Sequence, residues 1–238
     1  MMNEIKPKES SEIKTPEANK YKEIKPENGT TYSDSKQFWQ EEFSGNHTEM
    51  SSNDAKEKPE FFTTKEERVE RTPPEDTDKG HWEGSRGDGK FVPNENSEEG
   101  KAIKERLSEF GQNGIEFKDG VVDFSKVADT TVEIDNMTEN RHNYFNSDGE
   151  KKLGNFSQAD KKCAEYWNSI ERDGRSDWQA RDVKTWRHEN AYSWHERSDM
   201  KTCDLVPRDI HNFYTHSGGC AECKRRDANI GGISNEKM

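Results

Sequence analysis

Residues 192–219, YSWHERSDMKTCDLVPRDIHNFYTHSGG, decide the fold of this chain. Residues 192–195 are of types common in strands, residues 197–201 are polar and turn-like, and residues 203–206 can return as a second strand. Pro207 suits the first turn of a helix, because its missing N–H is not needed there. The stretch therefore predicts two strands joined by a turn and followed by a helix.

Three histidines fall within this stretch, at positions 195, 211 and 216. In a strand-turn-strand-helix arrangement, a histidine on the first strand can face histidines on the helix. His211 and His216 are five residues apart, whereas a spacing of about four stacks two side chains on one helical face. Either the helix ends between them or one of them lies outside a shared ligand set. Gly218 and Gly219 are expected to end the helix.

A histidine cluster of this kind has the chemistry that phosphodiester hydrolysis needs. A divalent ion neutralises charge on the scissile phosphate, and a nearby base takes a proton from the attacking water. Neutral imidazole with carboxylate and open positions suits Mg²⁺, Mn²⁺, Zn²⁺ or Ni²⁺, and the sequence does not choose among them. Arg197 and Arg208 are the candidates to bind phosphate.

The same stretch resembles the WHH-type nucleases of the HNH/ENDO VII superfamily, which are C-terminal modules of bacterial polymorphic and LXG-type toxins. The residues that carry the resemblance are Trp194-His195-Glu196, Leu205-Val206-Pro207, Ile210-His211 and His216-Ser217-Gly218-Gly219. Residues 80–93 and 114–125 resemble segments that precede the nuclease motif in those toxins. The resemblance implies an α+β fold with a small ββα-metal, treble-clef-like core. It also implies DNA as the substrate, a divalent metal ion and a cognate immunity protein as partner.

The resemblance leaves two assignments open for the catalytic residues. The commonest family motif has a second histidine where this chain has Glu196. In one assignment His195 is the general base, and Glu196 binds or orients the metal ion with His211 and His216. In the other, His195 is a ligand and Glu196 takes the proton. We favour His195 as the base, because imidazole is better matched to neutral pH than an exposed carboxylate.

Composition predicts that only part of the chain folds. Of the 238 residues, 27% are hydrophobic and 36% are charged, against about 45–50% and about 25% in typical globular domains. Apolar residues are isolated among polar ones up to about residue 79, so residues 1–79 are predicted to form a disordered acidic and polar leader. Residues 80–150 are predicted as a pre-nuclease region, and residues 151–238 as the nuclease core with a short C-terminal tail.

Three elements are predicted ahead of the deciding stretch. Residues 97–110 have apolar side chains at helical spacing, with glycines following. Residues 114–124 alternate around Asp119-Gly120, which indicates a short β-hairpin. Residues 156–170 again have helical spacing, and Ser157 is a candidate N-cap.

Charge is divided unevenly along the chain, whose formal net charge is −12. Residues 151–238 contain 16 Lys and Arg against 14 Asp and Glu, whereas residues 1–150 contain 21 against 35. A polyanion such as DNA would be repelled by the first part and tolerated by the second.

The chain has no apolar run of the length that a signal peptide or a membrane span requires. We therefore expect a soluble protein with no membrane partner. The resemblance adds the expectation of a bacterial protein secreted without a cleavable signal, which acts in the cytoplasm of a target cell.

Three alternatives to a DNA nuclease remain at this stage. One is a non-catalytic, zinc-stabilised binding module that uses Cys203, Cys220 and Cys223 with His211 or His216, because Cys₃His sites are known for structural zinc. It leaves His195 and Glu196 without a role. Another is an interaction protein whose nuclease fold has lost activity. The third is a nuclease directed at RNA.

Overall fold

The computed structural model describes residues 61–235, with side chains up to residue 230. Residues 1–60 of the predicted leader lie outside the described residues. Residues 61–79 lie inside them, and they contain a helix, α1 (Lys65–Glu70), that starts with a capping box between Thr64 and Glu67. Regular structure thus begins before residue 80, which corrects the predicted start of order. The Thr-x-x-Glu pattern marks such a helix start.

The first sheet is an antiparallel meander of four strands in the order β1-β2-β3-β4. Its strands are β1 (Gly80–Ser85), β2 (Asp88–Pro93), β3 (Ile115–Lys118) and β4 (Val121–Asp123). Helix α2 (Glu98–Ser108), capped by Ser97, connects β2 to β3. Asp119 and Gly120 adopt positive φ angles of 52° and 76°, as the predicted hairpin turn requires.

The second sheet has three antiparallel strands in the order β5-β9-β8. These are β5 (Thr130–Glu133), β8 (Tyr192–Glu196) and β9 (Thr202–Pro207). Between β5 and β8 lie a small hairpin and three helical segments: β6 (Tyr144–Phe145), β7 (Lys151–Lys152), α3 (Asn155–Ser169), a 3₁₀ turn (Arg172–Gly174) and α4 (Ala180–Glu189). The chain continues from β9 into α5 (Arg208–Phe213) and then α6 (Gly219–Asn235). Because β5 pairs with β9, the predicted pre-nuclease region and nuclease core share one sheet.

The second sheet separates two hydrophobic clusters, because successive side chains of a strand point to opposite faces. Trp194 and its cross-strand partner Leu205 join the cluster that contains residues of α3 and α4. Val206 joins the other cluster, which contains residues of β2, α2 and α5. Trp194 is a fully buried core residue. His195 therefore faces the second cluster.

Several helix boundaries differ from the prediction. Helix α3 starts at Gly154 without a side-chain cap, so Ser157 does not cap it. Helix α5 ends at Phe213, before Gly218 and Gly219, and Gly219 instead opens α6. A helix replaces the predicted short tail. Within residues 61–235, no helix is both long and apolar enough to cross a membrane.

Candidate metal centre

Three histidines from two elements and a loop meet on one face of the second sheet. His195 lies near the end of β8, His211 lies on α5, and His216 follows the end of that helix. One ligand atom from each lies within 4.8 Å of the others. The helix thus ends between His211 and His216, which resolves their five-residue spacing in favour of a shared site.

The closest pair in the cluster is His195 and His216, whose Nδ1 and Nε2 atoms are 3.1 Å apart. The Nδ1 atom of His216 lies 2.6 Å from the carbonyl oxygen of Tyr214. A carbonyl oxygen only accepts hydrogen bonds, so Nδ1 carries the proton and Nε2 keeps its lone pair. A backbone contact of this type orients a metal-binding histidine.

The side chain of Phe124 packs against all three histidines. Its ring centroid lies 4.9 Å from that of His195, 5.7 Å from that of His211 and 5.4 Å from that of His216. The side chain is only 1% exposed, and it comes directly after β4. The hairpin of the first sheet therefore supports the site, a role that the sequence pattern did not reveal.

Burial keeps the three imidazoles neutral. It lowers the pKa of His195 well below the usual value, and the neighbouring His216 and His211 lower it further. Burial also lowers the pKa of His211 to about 4 and moves the pKa of His216 down. Neutral imidazole is the form that binds metal ions or accepts a proton.

Glu196 lies on the opposite face of the sheet from His195. Its carboxylate is buried and accepts a hydrogen bond of 2.8 Å from the side chain of Asn155, at the start of α3. Burial raises the pKa of this carboxyl group. The structure thus places Glu196 outside the histidine cluster, because neighbouring strand residues alternate between faces.

The two predicted phosphate-binding arginines are both engaged. The guanidinium of Arg197 forms a bidentate pair with Asp204, at 2.6 and 2.7 Å. Asp204 is completely buried. Arg208 donates to the carbonyl oxygen of Tyr192 over 3.3 Å. Neither side chain belongs to the histidine cluster.

The cysteines also lie outside that cluster. Among the described residues, the group positioned to hold a metal ion consists of the three histidines alone. Burial raises the pKa of Cys203 well above the usual value and that of Cys223 to about 11. Thiolates are the form that binds zinc, so this environment does not favour the predicted Cys₃His site.

Gly218 and Gly219 have a packing role at the site. A Cβ atom on Gly218 would lie 2.7 Å from the carbonyl oxygen of Glu196, and one on Gly219 would lie 2.5 Å from that of Arg197. Only glycine lets the start of α6 approach the end of β8 so closely. The sequence predicts that the Gly-Gly pair ends a helix, whereas its contacts place it against the strand that carries His195.

The three histidines that could hold a metal ion lie within a segment of the chain that matches a known protein family. Residues 114–218 match the family model described as the DNase/tRNase domain of colicin-like bacteriocin. The match includes all three histidines and supports a nuclease toxin domain in this part of the chain. Searches of curated proteins and of solved structures found no match.

Proposed function

We propose that this protein is a metal-dependent endonuclease that hydrolyses DNA phosphodiester bonds and acts as a bacterial toxin. The cluster of His195, His211 and His216 within the matched segment is the observation that carries the proposal. Three neutral imidazoles lie close together in this cluster. Three protein ligands of this kind hold the metal ion in many catalytic sites.

The residues present fit a divalent metal ion. Two nitrogen ligands at about 2.0–2.1 Å from a tetrahedral ion lie about 3.3 Å apart, and Nδ1 of His195 lies 3.1 Å from Nε2 of His216. The proton on Nδ1 of His216 leaves Nε2 free for the ion. Mg²⁺, Mn²⁺, Zn²⁺ and Ni²⁺ all remain candidates.

The histidines would hold the ion, and the other residues keep the histidines in place. A bound ion would supply charge stabilisation at the scissile phosphate and lower the pKa of water. Tyr214 orients His216 through its carbonyl oxygen, and Phe124 excludes water behind the cluster. The position of His195 beside His216 makes it the third ligand in this proposal, in place of the general base.

RNA is the second candidate substrate, because the description of the matched family includes tRNase domains. In either case the active protein would harm the cell that makes it. We therefore also propose a cognate immunity protein as partner, with an acidic surface that can occupy a phosphate-binding site.

Incubation of the purified protein with plasmid DNA and with total RNA, across a series of divalent metals, tests this function. Cleavage of DNA that requires a metal ion and is lost in His211→Ala supports it. His195→Ala separates the two roles of that residue. If His195 is a ligand, calorimetry will show weaker metal binding, whereas a pure base would leave metal affinity unchanged. A folded protein that cuts neither nucleic acid with any metal refutes the proposal.

A further inference from the structure

The guanidinium of Arg197 uses only one of its edges to bind Asp204. Its Nε and Nη2 atoms donate to the two carboxylate oxygens. A guanidinium has five N–H donors, and the hydrogen bonds of this one within the described residues take one donor from each of those two atoms. The Arg197 side chain is 35% exposed, whereas that of Asp204 is completely buried. Both N–H groups of Nη1 are therefore available to a ligand.

The register of the second sheet places this guanidinium on the face that carries the metal centre. Asp204 on β9 lies directly opposite His195 on β8, and residues opposite each other have side chains on the same face, with Cβ atoms about 4.5–5.5 Å apart. The N–H of Arg197 donates to the carbonyl oxygen of Thr202 over 2.8 Å, so the strand pairing continues past the end of β8. Arg197 thus lies on the His195 face, where it reaches Asp204 diagonally across the strands.

The start of α6 also connects Arg197 to the histidine cluster. A Cβ atom on Gly219 would lie 2.5 Å from the carbonyl oxygen of Arg197. A Cβ atom on the preceding Gly218 would contact the rings of both His195 and His216. Two consecutive residues of one helix start therefore pack against the arginine and against two of the three histidines.

Asp204 is held in place from the third strand of the sheet. Thr131 on β5 is its other cross-strand partner, and the Thr131 hydroxyl donates to Oδ1 of Asp204 over 2.7 Å. Thr131, Asp204 and His195 thus lie in one row across the sheet. Thr131 is exposed, so this face of the sheet is accessible from the β5 side of Asp204.

A second arginine shows what a fully occupied guanidinium looks like in this fold. Arg172 forms a bidentate pair with Asp129, at 2.6 and 3.0 Å. Its guanidinium also stacks on the rings of Trp167 and Trp186, at 3.9 and 4.7 Å from their centroids. In the described part of the chain, no aromatic ring covers Arg197 in this way. The Asp204 pair alone therefore leaves Arg197 open to a further partner.

We propose that Arg197 binds a phosphate of the nucleic-acid backbone beside the histidine cluster, and that Asp204 and Thr131 are positioning residues that orient its guanidinium. Guanidinium groups match phosphate through paired, charge-assisted hydrogen bonds. The Asp204 pair orders the long side chain before the ligand arrives, which lowers the entropic cost of binding. The inference rests on the proposed nuclease function.

Binding of a fluorescently labelled DNA duplex to the full chain in EDTA tests Arg197 without cleavage. Arg197→Gln should weaken binding roughly tenfold and reduce the slope of log affinity against log salt by about 1. Arg172→Gln is the matched control, since it also removes the bidentate partner of an aspartate, and it should bind like the wild type. Equal affinities and slopes for the two variants would overturn the assignment.

The buried Asp204 carboxylate loses its partner in Arg197→Gln, which can prevent folding. The charge-balanced variant with both Arg197→Gln and Asp204→Asn then takes its place, because it leaves no unpaired buried charge. It should show the same loss of affinity. Wild-type affinity in this variant would equally overturn the assignment.

The positioning role is tested by a double-mutant cycle with Thr131→Val, which changes no charge and removes the hydrogen bond to Asp204. Thr131→Val should weaken duplex binding roughly threefold in the wild-type background and have no effect in the Arg197→Gln background. Equal effects in the two backgrounds, including none in either, would exclude action through Arg197. Absence of cleavage by the wild type under every metal would refute the nuclease function instead, because these binding measurements do not depend on catalysis.

Discussion

At the residue scale, the defining feature of the site is a set of three imidazoles whose pKa values are all lowered, first of all by burial. His195 is only 3% exposed, and the groups that act on its pKa are two further histidines and Arg197, all of which disfavour the charged form. The folded protein without metal therefore binds fewer protons at this site than the unfolded chain does.

The metal-free protein should consequently lose stability in acid. Histidine pKa values that are lowered on folding give stability that is complete above about pH 6.5 and decreases below it. The pKa of His211, about 4, alone corresponds to a loss on the order of 2 kcal/mol at pH 5. Urea unfolding in EDTA between pH 5 and pH 8 measures this. His211→Gln should flatten the dependence, whereas His81→Gln, on the exposed part of β1, should not. Equal pH profiles for both variants would contradict the explanation.

Tyr214 offers a second prediction at this scale. Its hydroxyl is buried and has no hydrogen-bond partner among the described residues, although its carbonyl oxygen orients His216. A buried unpaired hydroxyl costs about 1–3 kcal/mol. Tyr214→Phe should thus raise the free energy of unfolding by roughly 1 kcal/mol and leave metal affinity unchanged. Denaturant unfolding checks the first expectation and calorimetry the second. A destabilised variant would show that the hydroxyl is paired in solution.

At the element scale, the close approach of α6 to β8 fixes the geometry of the cluster. A Cβ atom on Gly218 would also contact Cε1 of His195 at 3.6 Å and Cδ2 of His216 at 3.8 Å. The end of β8, the loop and the start of α6 therefore form one packed unit, in which a shift of any part moves two of the three clustered histidines.

Gly218→Ala should accordingly reduce metal affinity about tenfold or more, with a loss of stability on the order of 1–3 kcal/mol from overpacking. Gly149→Ala is the matched control. Gly149 has a positive φ of 77° and no atom near an added Cβ, so its replacement should cost stability without changing metal affinity. Metal titration and thermal unfolding of both variants distinguish the two effects. Wild-type metal affinity in Gly218→Ala would contradict this account.

The β6–β7 hairpin carries the most exposed large hydrophobic side chain in the described part, Phe145, at 72%. It pairs across the strands with Lys151, so an aromatic residue and a cationic residue are neighbours on the exposed hairpin. Stacking on a base stabilises such a ring. Phe145→Ser should weaken binding of single-stranded DNA roughly fivefold without loss of stability, whereas Ile170→Ser, at the end of α3, should not weaken it. Anisotropy measurements that show equal affinity for the two variants would exclude the hairpin as a contact.

The sequence predicted the elements whose patterns are local. The β8-turn-β9-α5 order, the Asp119-Gly120 hairpin and the three histidines all depend on short-range spacing, turn residues and side-chain chemistry. It did not predict the packing of Phe124 behind the histidines, the Asn155–Glu196 hydrogen bond or the place of β5 beside β9. Those contacts join residues that are far apart in the chain, so the spacing of neighbouring residue types does not predict them. The side of β8 on which Glu196 lies follows from the strand pleat, but its partner does not.

At the scale of the whole molecule, residues 62–68, which precede the first sheet, form contacts both with helix α6 and with the first sheet. Glu222 on α6 is fully buried, and its carboxylate accepts the N–H groups of Phe62 and Thr63 at 2.6 and 3.0 Å, as well as the Thr63 hydroxyl. Arg225 pairs with Glu67 on α1. On the other side, Arg68 donates to the carbonyl oxygen of Asp119 in the first sheet.

Removal of this segment should therefore destabilise the fold. A chain that starts at residue 73 leaves the Glu222 carboxylate buried without these donors, at an expected cost of about 3 kcal/mol. A chain that starts at residue 61 retains them and should match the full chain. Denaturant unfolding of the three lengths measures the difference, and Glu222→Leu should recover part of the loss in the shortest chain. Equal stability of the chains that start at 61 and 73 would show that the contacts are not needed.

The Glu222 carboxylate accepts hydrogen bonds from Phe62 and Thr63, which lie 160 and 159 positions earlier in the chain. This spacing also determines the order in which contacts can form during synthesis. Strand β5 can pair only after β9 has been synthesised. Phe124 can pack against the three histidines only after they have been synthesised. Long-range pairings of this kind slow folding. The three-histidine cluster thus cannot assemble until residue 216 has been synthesised, although Phe124, which packs behind it, is made about 90 residues earlier.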